Sequence, residues 1–196
     1  MSKWPSMIRF LKNKPICTTG IIAAILLLYQ GGVLAEPAWA SSVEYRVKAA
    51  FLYNFTKFVE WPTHGGGTGK AFQIGILGED LFGSEIEGLA GKAVGDRILM
   101  VHRYPGWDDR AAKCDILFIS KSQERDLKEI IRRLNGSPVL TIGDSTDYAR
   151  RGVIINFFME DNKVRFEINQ KQAKRVGLKI SSRLLKLAVV LEDADK

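Results

Sequence analysis

Short apolar runs alternate with stretches of helical periodicity along most of this chain, and that alternation admits few folds. Phe72–Leu77, Asp115–Ile119 and Pro138–Ile142 each read as a strand, and Arg97–His102 as a further one of alternating character. Between them, Gly78-Glu79-Asp80 leads into a short helix reaching Leu89. Ser122–Leu134 reads as a longer helix ended by Asn135-Gly136. Upstream, Val47, Ala50, Phe51, Phe55, Phe58 and Val59 follow the i, i+3, i+4 rule, so Glu44–Glu60 is expected as a helix that Pro62 ends. Leu52 and Tyr53 fall off that stripe, which implies a second contact for the helix. Downstream, Val153–Met159 and Val164–Ile168 flank Glu160-Asp161-Asn162-Lys163, the pattern of a hairpin. Gln170–Arg175 is expected as a short basic helix closed by Gly177. Ser181 or Ser182 then caps a last helix carrying Leu184, Leu185, Leu187, Ala188 and Leu191. Strands alternating with helices, followed by a late hairpin, give one α/β domain with a mixed sheet.

Residues 1–40 read as an address. Lys3, Arg9, Lys12 and Lys14 precede the uncharged stretch Cys17–Ala35, and the small-x-small triplet Ala38-Trp39-Ala40 follows it. That order is a signal peptide cut after Ala40, with Val33-Leu34-Ala35 as a second site. Ile16–Ala35 is also about long enough, at roughly 20 residues, to stay as an uncleaved anchor. The expected mature domain is 41–196. The whole chain has 29 Lys and Arg against 22 Asp and Glu, a net charge of +7. Four of those bases and one of those acids lie in residues 1–40, which leaves 25 against 21, a net of +4. A domain so mildly basic lacks the charge of a nucleic-acid binder.

Motifs for chemistry are few. Ile74–Gly78 runs from a strand through Gly75 and Gly78 toward a helix, but no G-x-G-x-x-G or Walker lysine completes the pattern, so a plain strand–helix turn is expected. His64 and His102 have no His or Cys partner at metal-ligand spacing, and no nucleophile elbow is present. Gly143-Asp144-Ser145 reads as a loop after a strand, with Asp144 or Ser145 as a helix N-cap. Cys114 is the one cysteine of the expected mature domain and so cannot form an internal disulfide; a buried structural thiol is the plain reading, an intermolecular bridge or redox sensor the other. On the hairpin, Arg165 and Glu167 point to one face and Phe166 to the other, which marks either a binding face or a solvated one.

Three stretches together resemble the YfiR family of periplasmic regulators. They are Ala49–Pro62 (AAFLYNFTKFVEWP), Cys114–Ser120 (CDILFIS), and the run from Gly152-Val153-Ile154-Ile155-Asn156-Phe157 through Val164–Asn169, Gly177–Ser182 and Leu184–Ala188. The resemblance implies a compact Rossmann-like α/β domain, with helices on both faces of the sheet, often dimeric and without known catalytic activity. It implies inhibition of an inner-membrane diguanylate cyclase through that enzyme's periplasmic sensor domain, with an outer-membrane lipoprotein relieving the inhibition. Two departures stand out. Gly152-Val153 replaces the usual Gly-Gly, and the lone Cys114 cannot reproduce the disulfides of some relatives.

Two function classes follow. One is a non-enzymatic inhibitor of a membrane signalling protein, for which Leu52, Tyr53, Trp61, Arg165 and Glu167 are the candidate partner-binding residues. The other is a small-molecule module that binds at the carboxyl ends of its strands and signals to a sensor kinase or transporter. An enzyme fits least, since no matched nucleophile, base and oxyanion site is offered. No metal or cofactor is expected.

Overall fold

Ile116-Leu117-Phe118-Ile119 and Leu140-Thr141-Ile142-Gly143 are buried on both faces and lie in the interior of the sheet, which is why they read as unbroken apolar runs. The computed structural model describes residues 38–62 and 71–191, with side chains from Val43 onward. The connector around His64 and the expected signal segment up to residue 37 lie outside the described residues.

In chain order the elements are α1 (Ala38–Phe55), β1 (Val59–Glu60), β2 (Ala71–Leu77), α2 (Ser84–Glu87), β3 (Ala93–Val94), β4 (Arg97–Tyr104) and β5 (Ile116–Ile119). After them come α3 (Leu127–Arg133), β6 (Leu140–Gly143), β7 (Ile155–Glu160), β8 (Lys163–Ile168), α4 (Gln170–Arg175), β9 (Lys179–Ile180), α5 (Ser182–Leu185) and β10 (Val189–Val190). The main sheet is ordered β10-β8-β7-β6-β5-β2-β4-β3. Strands β4, β2, β5, β6 and β7 are mutually parallel, while β8 runs antiparallel to β7 and β3 antiparallel to β4. Short β1 pairs with β9 apart from this sheet.

One face of the sheet packs against α1, α2, α4 and α5 through Leu52, Phe55, Ile86, Ala173 and Leu184. The other packs against α3 and a 3₁₀ turn through Leu127, Ile130 and Ala111. This is the expected Rossmann-like domain, with a mixed sheet and helices on both faces. The late hairpin is formed by β7 and β8. Asp161 and Asn162 both take left-handed backbone angles, φ 48° and 58°, the requirement of a two-residue turn matched to strand twist. Phe157 and Phe166 face each other across it, and Phe55 of α1 sits 5.9 and 5.3 Å from their rings. Aromatic burial of this kind contributes several kcal/mol, on the order of 2 per ring.

Three expectations need correcting. Helix α1 ends at Phe55, before Pro62, because Thr56 turns its hydroxyl back onto the Tyr53 carbonyl at 2.6 Å and Val59–Glu60 is recruited as β1 by β9. Its buried face is Tyr45, Lys48, Ala49, Leu52 and Phe55, whereas Val47 and Ala50 are exposed. The apolar pattern missed this rotation because a lysine holds one of the buried positions. The last helix stops at Leu185; Val189-Val190 instead joins β8 as a parallel edge strand, and Leu187 is exposed. The third correction is at Gly143-Asp144-Ser145, where turns rather than a helix follow and Asp144 serves a different purpose.

Candidate functional site

The chain runs from β2 outward to β4 and then returns across β2 to β5, so the carboxyl ends of β2 and β5 form the switch point where open α/β sheets usually leave a crevice. Here protein fills it. The Ser122 hydroxyl accepts from the Glu79 amide at 2.9 Å, and a Cβ on Gly78, whose φ is +94°, would fall 2.3 Å from that oxygen. The loop therefore closes over the place where a phosphate or nucleotide would approach.

A cleft opens two strands further along instead, beside the carboxyl end of β6 and against β7 and β8. Its volume is about 430 Å³, and Asp144, Ser145, Asp147, Asn156, Phe158, Met159, Glu167 and Val189 are among its lining. Asp144 is held from below by α1. Lys48 Nζ lies 2.6 Å from Asp144 Oδ2 and 2.5 Å from Glu44, and the Tyr45 hydroxyl donates to the same Oδ2 at 2.7 Å. Both Lys48 and Asp144 are nearly sealed from solvent, with side chains 3% and 5% exposed. Burial, and after it the charge of Asp144, pushes the Tyr45 hydroxyl far above its ordinary range and keeps it a donor. A buried pair of this type survives only with such extra hydrogen bonds.

Asn156 stands beside this network. Its Nδ2 donates to the Ser145 carbonyl at 2.9 Å and to Glu167 Oε1 at 3.0 Å, both pure acceptors. That fixes the amide orientation. Asn156 Oδ1, sealed from solvent, has no hydrogen-bond partner among the described residues. On the other side of Asp144's helix partner, between α1 and α2, lies a shallower groove of about 260 Å³ lined by Arg46, Ala50, Tyr53, Glu85 and Lys92 among others. Arg46, Ala50 and Tyr53 share one face of α1 by their spacing, and Lys57 follows in the turn after it. Lys57 and Lys92 stand 4.7 and 5.1 Å from the Tyr53 ring. Among the described residues, no carboxylate pairs with Arg46, Lys57 or Lys92.

The candidate residues are thus scattered. Leu52 is 0% exposed and belongs to the core, because the seam of α1 passes through it; it offers no surface. Tyr53 lines the groove, its hydroxyl donating to the Ala93 carbonyl at 3.2 Å. Trp61 is half-buried, edge-on to Phe72 and donating to the Asp115 carbonyl at 3.1 Å, beside the Arg97–Asp115 pair. Arg165 is exposed and pairs with Glu160 at 3.3 Å, while Glu167 lines the cleft. Sequence reasoning missed Lys48, Ser145 and Asn156 as site residues; the only available signal was a lysine on the apolar side of a helix. Cys114 is buried within 3.8 Å of the Tyr104 hydroxyl, and burial pushes its thiol up to about 11, which suits a structural thiol rather than a nucleophile.

Two solved structures share the architecture. One is a conserved domain protein from Vibrio cholerae O1 biovar El Tor (TM-score 0.52), the other the ABC domain in complex with L-Trp from Streptococcus pneumonia (TM-score 0.50). Each is 12% identical over 76% of this chain, and the chain spans 60% of the length of each. Such low identity speaks to the fold alone. No helix among the described residues is long and apolar enough to cross a membrane. A family profile described as YfiR/HmsC-like matches residues 45–189, from Tyr45 of the buried network to Val189 at the rim of the cleft, and the chain belongs to that family.

Proposed function

We propose that this protein is a non-enzymatic periplasmic regulator that inhibits an inner-membrane diguanylate cyclase by binding its periplasmic sensor domain. The observation that carries the reading is the match to the YfiR/HmsC-like family across the described domain, since that family regulates diguanylate cyclase signalling from the periplasm. Export fits the basic and apolar segment ahead of Ala40. Cleavage there removes three residues from α1 and leaves its buried face, Tyr45 to Phe55, in place. The groove between α1 and α2 offers a docking surface for this reading: an aromatic residue, Tyr53, beside Arg46 and Lys92, which make no ion pair among the described residues, suited to an acidic segment of the sensor. Inhibition requires tighter binding to the cyclase's off state; shifting a 1:99 equilibrium to 99:1 takes about 5.5 kcal/mol of differential affinity. An outer-membrane lipoprotein that competes for the regulator, and a homodimer, complete the scheme.

The test is cellular cyclic-di-GMP measured with and without this protein, for the intact cognate cyclase and for one stripped of its periplasmic segment. Lower levels with the intact enzyme alone are expected. Equal levels despite confirmed export overturn the cyclase reading. A second reading, a small-molecule module, is favoured by one observation, the cleft of about 430 Å³ beside the carboxyl end of β6.

A further inference from the structure

We propose that strand β4 continues the main sheet into a second copy of this chain, pairing antiparallel with its own counterpart across a two-fold axis at His102. That pairing supplies the surface of the homodimer in the proposed scheme; it follows from the strand alone and is tested without any readout of the cyclase. Strand β4 is eight residues long, and all of it but Arg97 is in register with β2. On its other side β3 covers only Arg97 and Ile98. The backbone of Leu99 faces that side too, since its N–H donates to the Lys92 carbonyl and its carbonyl accepts from the Gly91 N–H, both at 2.9 Å. Backbone direction alternates along a strand, so Val101 and Arg103 also turn their N–H and C=O groups outward. The Tyr104 carbonyl has the opposite phase and accepts from Gly78 at 2.8 Å. Among the described residues, nothing bonds to the outward groups of Val101 and Arg103. An edge that keeps such a row free is a template for another strand.

The free row admits a single register for self-pairing. Hydrogen-bonded pairs join residues whose groups face outward. A two-fold at Val101 would set Arg103 against Leu99, whose groups are already taken; one at Arg103 would set Val101 against Pro105, which has no N–H. With the axis at His102, Val101 of each copy pairs with the partner's Arg103, each pair exchanging both its N–H···O bonds, and His102 faces the partner's His102 between them. A two-fold contact of this kind is the commonest form of homo-oligomer. Charge does not oppose it, because Arg103 is held by Asp80 at 2.7 Å and Glu87 at 2.6 Å, so the two guanidiniums meet already paired. Apolar surface favours it. Ile98 and Met100 are 50% and 47% exposed on the same face of β4 as His102, and the partner strand would cover Met100.

Sedimentation equilibrium of the purified protein over about 1–200 μM should show a monomer–dimer equilibrium with a Kd below about 100 μM. Val101→Pro removes an outward N–H that the subunit's own pairing with β2 does not use, and should weaken the dimer at least about tenfold. Should that variant fail to fold, His102→Lys serves instead: it sets like charges directly opposite each other and should weaken the dimer by a similar factor. Oxidative cross-linking reads the register. In a pair that lies between hydrogen-bonded pairs the Cα atoms are about 4.5 Å apart, within reach of a disulfide, so His102→Cys should cross-link the dimer under mild oxidation. Ile98→Cys, on the same face and more exposed, would sit about 26 Å from its counterpart and should not. A protein that stays monomeric at about 200 μM overturns the proposal. So does a dimer that neither Val101→Pro nor His102→Lys weakens, or cross-linking no faster through position 102 than through position 98.

Discussion

The α1–α2 groove and the cleft beside β6 lie against the same helix yet are built in opposite ways. The groove takes its charge from Arg46, Lys92 and Glu85, side chains in solvent whose removal leaves nothing buried and unpaired. The cleft takes its charge from Asp144 and Glu167 and is tied to the core through Lys48, Tyr45 and Asn156. Surface charge and stability are therefore separable in the groove and coupled in the cleft. One helix shows the contrast within a single turn: Arg46 is exposed and makes no ion pair among the described residues, and Lys48 is sealed against Glu44 and Asp144.

Lys48→Ala gives the largest expected effect. It strands Asp144 in a buried site, and the loss should be about 3–5 kcal/mol in urea unfolding, against less than about 0.5 for Arg46→Ala. Equal effects of the two would erase the distinction between the regions. Next, Leu52→Ala should cost about 3 kcal/mol by leaving a cavity in the seam under both sites, measured by the same unfolding curve. The neighbouring Tyr53→Ala should cost less than half of that, since its ring is only half-buried.

A third expectation probes the far face of the sheet, away from both regions. The Cys114 thiol is raised from 9.0 to about 11, chiefly by burial. A pKa raised by folding means that the protonated thiol is the form the native state prefers. Its contribution is complete below about pH 9 and lost as pH rises through about 11, roughly 3 kcal/mol in all. The difference in stability between the wild-type protein and Cys114→Ser should shrink over that window, and reductant should not move the thermal midpoint of either. A difference that stays flat with pH would place the thiol in a wetter setting than the structure gives it. Smallest in stability is charge reversal in the groove. Arg46→Glu and Lys92→Glu should shift unfolding by less than about 0.5 kcal/mol yet weaken sensor-domain binding about tenfold, with an affinity that falls as salt rises. If binding survives both reversals, the groove is not the docking surface and the contrast between the two regions concerns stability only.

Much of the architecture is legible along the chain because its rules are local. The hairpin is written in Asp161-Asn162 between two strand-like runs, the buried strands in unbroken apolar stretches, and α4 in Gln170–Arg175 followed by Gly177, which takes φ +79°. Of the candidate residues, Glu167 could be placed on a face of a strand, and Tyr53 singled out for falling off the stripe of its helix. Neither could be placed in a cavity. Leu52 looked like Tyr53 in sequence and turned out to be core, because a helix's buried side is chosen by what it packs against.

By itself, then, the sequence determined the α/β class, the order of most elements, the late hairpin and the resemblance that the family match bears out. Only the tertiary structure decided where α1 stops, that Val189-Val190 becomes an edge strand, that the switch-point crevice is closed by Ser122, and that a cleft opens at Asp144 instead. The physical reason is distance along the chain. Turns, caps and periodic faces are settled by residues a few places apart, whereas Lys48 meets Asp144 across 96 positions and Tyr45 meets it across 99. A buried charge is tolerable only once its partner has arrived, and no local pattern announces that meeting.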